Sequence, residues 1–304
     1  MAASASSSKA PPSMTGAGAA VVDAPTGRVT AEARSVNHRF LKVSAHLSDA
    51  LASLEPAVEE LVRERTERGH VTVSLRFVRS SKAAAAAWHV DDAAAKAAGK
   101  RLAALAKACG VEGTVTLRDV LGVPGVVADE AAGALPPAVE KAARKALEGA
   151  LDALIEARRA EGRRLAHACA TLLDRVADAR ARLATRAPEL PKAYRDRLAA
   201  RIAALLEGSG TQPDPAALAR EVATFADRCD VAEELVRLDA HVAHLRELLG
   251  RDGAVGRKLD FLVQELHREA NTLGAKSPDP AMTAVVVELK ADVERLREQV
   301  QNFE

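Results

Sequence analysis

The stretch PPAVEKAARKALEGALDALIEARRAEGRRLAHACATLLDRVADARARLATR, residues 136–186, decides the fold. After its two prolines it is made largely of Ala, Leu, Arg, Lys and Glu, the residues that cost least in a helix. The pattern predicts one long helix from Ala138 to about Arg186, even with Gly149 and Gly162 inside it. Downstream no segment alternates convincingly as a strand would. AYRDRLAARIAALLEG, a segment from Pro215 towards Asp227, VAEELVRLDAHVAHLRELLG, VGRKLDFLVQELHREANTLG and DPAMTAVVVELKADVERLREQVQNFE read as further helices. They end in Gly or begin after Pro or Asp, as helix ends should, and GSGTQPDP reads as a loop.

Upstream of the long helix the period changes. GRVTAEARSVNHRFLKVSAHL alternates as two strands joined near Asn37–His38, and HVTVSLRFV as a third. Between them SLEPAVEELVRERTERG predicts a helix with Ser53 as N-cap, Pro56 in its first turn and Gly69 as its stop. A helix from about Asp91 to Ala108 and the short apolar LRDVLGVPGVV complete this part. The expected architecture is therefore an α+β N-terminal domain over 13–135, followed by a mainly α-helical C-terminal half with long helices over 136–304. Residues 1–12, small, polar and Pro-containing, read as a disordered tail.

Composition bounds the function. With 304 residues, 48% hydrophobic and 28% charged, the chain is globular in character and long enough for two cores. A net charge of +1 excludes a polybasic protein. Charge is segregated, however: residues 141–201 carry 15 Lys/Arg against 8 Asp/Glu, and residues 231–304 carry 10 against 14. That split suits a polyanion held on one surface while carboxylates and a cation act on it, and it equally suits long solvated helices. Three dispersed cysteines form no disulfide framework or zinc knuckle and fit a reducing compartment. Without an apolar leader or a membrane-length apolar run, the expected location is cytoplasmic, with no membrane partner.

Two helices concentrate functional groups. In residues 256–277, Leu259, Leu262, Val263, Leu266, Ala270 and Leu273 make an apolar stripe, flanked by Asp260, Gln264, His267 and Asn271 on one side. Lys258, Glu265, Arg268, Glu269 and Thr272 occupy the other side. Glu265 and Glu269, at i and i+4, can approach one cation, and Lys276 and Ser277 offer themselves to an anion. The preceding helix presents Glu234, Arg237, His241 and His244 as a polar stripe. Glu and His on one helix facing carboxylates on its neighbour is how bundles build metal sites, although a solvated ion-pair face would have the same pattern. In the first domain RSVNHRF places Arg34, Asn37, His38 and Arg39 at a strand end, where they suit phosphates and turns alike. No Gly-rich phosphate loop, nucleophile elbow or Cys/His pairing stands out.

Six segments carry a resemblance: SMTGAG (13–18), EARSVNHRFL (32–41), LEPAVEELVRERTERGHVTVSL (54–75), DVAEELVRLDAHV (230–242), GRKLDFLVQELHREANTLGAKS (256–277) and VQNFE (300–304). In order along the chain they resemble the bacterial YicC/YloC family. Ala17 stands where an aromatic is usual in that family, and His267 where Asn is usual. The resemblance implies an endoribonuclease that cuts single-stranded regions of RNA with a divalent cation, Mn²⁺ or Mg²⁺, in RNA turnover. It also implies a homo-oligomer, a hexamer enclosing RNA, and other RNA-decay enzymes as further partners. On this reading His241 and Glu269 are catalytic, and Glu234, His241, Glu265 and Glu269 are the metal ligands. Arg34, Asn37, Arg39, Arg257, Arg268 and Lys276 contact RNA. The alternative is a non-catalytic oligomeric RNA-binding adaptor for another ribonuclease, whose acidic stripe only pairs with arginine.

Overall fold

The computed structural model describes residues 9–82, 88–110, 113–129, 135–207 and 214–304. The tail expected over 1–12 lies outside them as far as residue 8, and the GSGTQPDP loop as far as residue 213.

One strand escaped the alternation. β1 (Gly16–Ala24), β2 (Gly27–Val36), β3 (Leu41–Leu47) and β4 (Gly69–Arg79) form a four-stranded sheet in the order β1-β2-β4-β3. β1 has the sequence GAGAAVVDA, and Gly and Ala are poor strand residues. It pairs antiparallel with β2 through a two-residue turn at Pro25–Thr26, while β2 pairs antiparallel and β3 parallel with β4. Val29, Ala31, Ala33, Val71, Val73 and Leu75 point inward and are buried; Glu32 and Arg34 alternate outward.

The parallel pair is connected by a 3₁₀ turn, Asp49–Leu54, and α1 (Glu55–Arg65). Ser53, expected as the cap, lies inside that turn. Buried Leu51 and Leu54 fix the entry to the helix instead, with Pro56 in its first turn. The helix stops at Arg65, four residues before Gly69, which opens β4 at φ +107°. Beyond β4, α2 (Asp92–Cys109) is capped by Asp91, which accepts from the amides of Ala93 and Ala94. The short α3 (Leu117–Leu121) follows, and β5 (Trp88–Val90) pairs antiparallel with β6 (Val127–Asp129).

The long helix forms as expected. α4 (Pro137–Arg186) has 50 residues and spans about 75 Å at 1.5 Å per residue. Its buried positions divide into two runs. Val139 to Leu154 pack with α1 on one face of the sheet. Leu165 to Leu183 pack against α7 (Ala232–Leu249), α8 (Gly256–Lys276) and α9 (Pro280–Val300). The boundary drawn at 135/136 therefore falls at the start of a helix that serves both cores. Between α4 and α7, α5 (Leu190–Leu206) and α6 (Pro215–Arg228) pair with each other, Tyr194 stacked 3.9 Å from Phe225.

Two glycines let backbones touch α4. A Cβ on Gly18 would fall 2.2 Å from the Ala150 carbonyl oxygen, and one on Gly162 would fall 2.2 Å from that of Pro11. Near Gly162, between the two cores, stands Arg158, 2% exposed. Its Nε donates to the Ser13 carbonyl at 2.6 Å, and its Nη2 lies 3.1 Å from Glu304 Oε2. Glu304 Oε1 accepts from the Glu67 and Arg68 amides at 2.9 Å each, and the Met14 amide donates to Asn302 at 2.8 Å. The first and last described segments thus meet over the middle of α4.

A candidate metal and RNA site

Helices α7 and α8 pack closely, and their buried apolar residues bring the two polar stripes face to face. His241, Glu265 and Glu269 come together there: a nitrogen of the imidazole and an oxygen of each carboxylate lie within 4.8 Å of one another. Among the described residues no other such group of three exists. Glu269 is 3% exposed, and His241 and Glu265 are half-buried. Arg237 reaches Glu269 at 3.5 Å, the far edge of a hydrogen bond, but its closer partner is Glu233. The Glu233 charge, ahead of that of Glu269, also raises the Arg237 pKa. Glu269 is therefore weakly engaged for a buried carboxylate. One imidazole and two carboxylates suit Mn²⁺ and, through the carboxylates, Mg²⁺.

Glu234 stands two turns away on α7, outside this group. Lys276 Nζ donates to its Oε1 at 2.8 Å, and that bond raises the lysine pKa. Glu234 Oε2 is buried with no hydrogen-bond partner among the described residues. The expected ligand Glu234 and the expected RNA contact Lys276 are thus each other's partners.

Two comparisons set the whole chain among known proteins. The family model described as "Endoribonuclease YicC-like, N-terminal region" matches residues 12–167, and that described as "Endoribonuclease YicC-like, C-terminal" matches residues 183–304. The chain belongs to the YicC-like family. Two curated relatives are both named "Probable endoribonuclease YicC". The one from Haemophilus influenzae is 37% identical over 273 residues, and the one from Clostridioides difficile 31% over 273. Each alignment covers 90% of this chain and 92% of the relative.

In this YicC-like chain the other expected RNA contacts divide among three places. Asn37, Arg39 and Arg257 line one cleft between the sheet and the bundle. Asn37 Nδ2 there donates to the Gln301 carbonyl at 2.6 Å. Arg268 lies on the exposed side of α8, 3.9 Å from Glu265. Arg34 lies apart on the open face of the sheet, 3.6 Å from Glu32. His244 and His267 are exposed, the latter within 3.1 Å of Asn271.

Sequence reasoning passed over Arg68, which joins Arg39 and Arg257 at the cleft, and the Arg158–Glu304 pair. The signal for Arg158 was present: it occupies the apolar stripe of α4 between Leu154 and Leu165. Burial pushes the Cys169 thiol up to about 12 and raises that of Cys229, so neither is a ready thiolate. Among the described residues no helix is long and apolar enough to cross a membrane.

Proposed function

We propose that this protein is a divalent-metal-dependent endoribonuclease that cuts single-stranded regions of RNA, with His241, Glu265 and Glu269 as its centre. The convergence of one imidazole and two carboxylates at the α7–α8 packing line carries the reading, and the relatives' name, probable endoribonuclease, supports its endoribonuclease part. RNA cleavage needs a base for the nucleophile, an acid for the leaving oxygen and positive charge at the phosphate. Mn²⁺ or Mg²⁺ held by the three side chains would supply charge to the phosphate and a more acidic water. His241, half-buried and reachable from solvent, is placed to move a proton. Buried Glu269 stands within 4.8 Å of the imidazole, close enough to share a cation with it. Arg268, beside Glu265 on the exposed side of α8, is placed to hold a phosphate. The Lys276–Glu234 pair fixes the far end of the two helices.

The reading includes assembly of copies. Val236, Phe261 and Val287, on three successive helices of the bundle, are each at least 60% exposed, and large apolar side chains in that position suit subunit contacts. Sedimentation of the purified chain tests this, and a monomer at micromolar concentration removes that part of the reading.

Pairing of Glu234 with Lys276 and of Glu269 with Arg237 is what the adaptor alternative anticipates. Cleavage of an end-labelled single-stranded RNA with Mn²⁺, with Mg²⁺ and with EDTA separates the two. Cutting that needs metal and is lost in Glu265→Gln and His241→Ala, with RNA binding retained, supports the nuclease. Binding without cutting under every condition assigns the adaptor.

A further inference from the structure

The cleft between the sheet and the bundle has a volume of about 270 Å³ and collects guanidinium groups from three separate parts of the chain. Arg39 comes from the β2–β3 loop, Arg68 from the α1–β4 connection and Arg257 from the first turn of α8. Most arginines of this protein lie against a carboxylate. Among the described residues these three do not. Arg39 stands 5.2 Å over the Phe40 ring, and Arg68 Nε donates only to the Arg39 carbonyl, at 3.3 Å. The one carboxylate lining the cleft, Asp260, already accepts from Gln264 at 2.8 Å. Three arginines and one carboxylate thus line a concave site, and the nearby Glu304 carboxylate is already taken by Arg158.

The walls are held in place by the last residues of the bundle. The Arg68 amide donates to Glu304 Oε1 at 2.9 Å, the Gly256 amide to the Glu304 main-chain oxygen at 2.7 Å, and Asn37 to Gln301 at 2.6 Å. Each segment that supplies an arginine is tied to residues 301–304, so the charges are placed before any ligand arrives. Forked guanidinium donors match phosphate oxygens, and phosphate contacts set the position of a strand without reading its bases.

Arg257 shares α8 with Glu265 and Glu269, about 12 and 18 Å further along the axis at 1.5 Å per residue. Turned by 100° per residue, the two carboxylates lie within about 120° of Arg257 around the helix. One rigid element therefore fixes the span from the cleft to the three-residue centre.

We infer that the Arg39–Arg68–Arg257 cleft anchors a backbone phosphate of the RNA, a few nucleotides from the phosphodiester presented to His241, Glu265 and Glu269. The register of cutting rests on the proposed nuclease reading; the anchoring does not. The test is fluorescence anisotropy of labelled single-stranded RNA in EDTA over a salt series. Arg68→Gln and Arg257→Gln are compared with wild type and with Arg118→Gln, an exposed arginine on α3. Each cleft variant should lower the slope of log K against log[salt] by about 0.7–1 and weaken binding several-fold. Arg118→Gln should leave both unchanged, and unaltered melting temperatures establish that the variants are folded.

A 5′-phosphorylated and a 5′-hydroxyl strand that bind alike assign an internal phosphodiester; dependence on the 5′-phosphate assigns the strand end. Cleft variants with the wild-type slope and affinity would overturn the anchor. With Mn²⁺, the cleft variants should also cut at scattered rather than fixed positions. Loss of cutting in Glu265→Gln with an unchanged slope tests the three-residue centre alone, so the two ideas fail separately.

Discussion

Replacing Glu304 by Ala removes the group on which the seam between the two cores closes. The Glu304 carboxylate is bound on both oxygens, by Arg158 at 3.1 Å and by the Glu67 and Arg68 amides at 2.9 Å. Arg158 is 3% exposed at its side chain, so its loss of partner leaves a buried, uncompensated charge. Breaking such a pair from one side costs about 3–5 kcal/mol. The two amides add little, because Glu67 and Arg68 are not buried and water can reach them. Glu304→Gln keeps an oxygen for the amides and loses the charge, so its cost should be smaller, about 1.5–3 kcal/mol. Arg158→Met combined with Glu304→Ala removes both charges, and the double variant should be less destabilised than the sum of the singles by about 0.5–3 kcal/mol. Equilibrium urea unfolding followed by far-UV circular dichroism compares wild type with the four variants, with constant slope as the check that one transition is compared. A Glu304→Ala cost below about 1 kcal/mol, or strict additivity with Arg158→Met, would refute a buried pair that holds the seam.

Four further outcomes are expected. Gly162→Ala should destabilise by about 1–3 kcal/mol through the clash with the Pro11 carbonyl. In an unobstructed helix the same change stabilises by about 1 kcal/mol, so a raised melting temperature would show that the N-terminal segment does not cross there. Asp279 caps α9 and is held below its ordinary carboxylate value, first by the Arg186 hydrogen bond. A depressed carboxylate stabilises above its unfolded pKa near 3.8, and that stability is lost as pH falls through the folded value. Asp279→Ala should therefore cost about 0.5–2 kcal/mol at neutral pH, with the gap to wild type narrowing below pH 3.8; a gap independent of pH contradicts the pairing with Arg186. In the native protein iodoacetamide should modify exposed Cys109 and leave buried Cys169 and Cys229 untouched, as read by mass spectrometry. Calorimetric titration of Mn²⁺ should show binding to wild type that Glu269→Gln weakens by tenfold or more, and equal binding would remove Glu269 from the ligand set.

Much of this fold is written in periodicity. The 50-residue helix, the three helices of the bundle and strands β2, β3 and β4 follow from apolar spacing, because each buries one continuous face. β1 does not, because its Gly and Ala residues serve close approach to α4 rather than side-chain packing. The α1 entry was misread for a related reason: a hydroxyl at position 53 has a capping signature, whereas the contacts that fix the turn are those of Leu51 and Leu54. The candidate centre was half legible. Spacing placed Glu265 and Glu269 on one side of α8 and His241 on a stripe of α7. Only the antiparallel pairing of the helices shows that His241 meets both carboxylates while Glu234 meets Lys276. Arg68 could not be found from spacing, since its neighbours in the cleft are distant in the chain.

The meeting of residues 11–14 with residues 302–304 sets an order of events during synthesis. A nascent chain can complete the sheet core once Leu154 has emerged and most of the bundle core once Leu296 has. Ser13 and Asn302, bonded to each other across 289 positions, must wait for nearly the whole chain. By then α4 and the bundle have already drawn the two ends together, so the remaining loop closure adds little entropy cost. The wall that carries Arg68 and Arg257 consequently closes only once residues 301–304 are free of the ribosome, later than most of the residues that build the two cores.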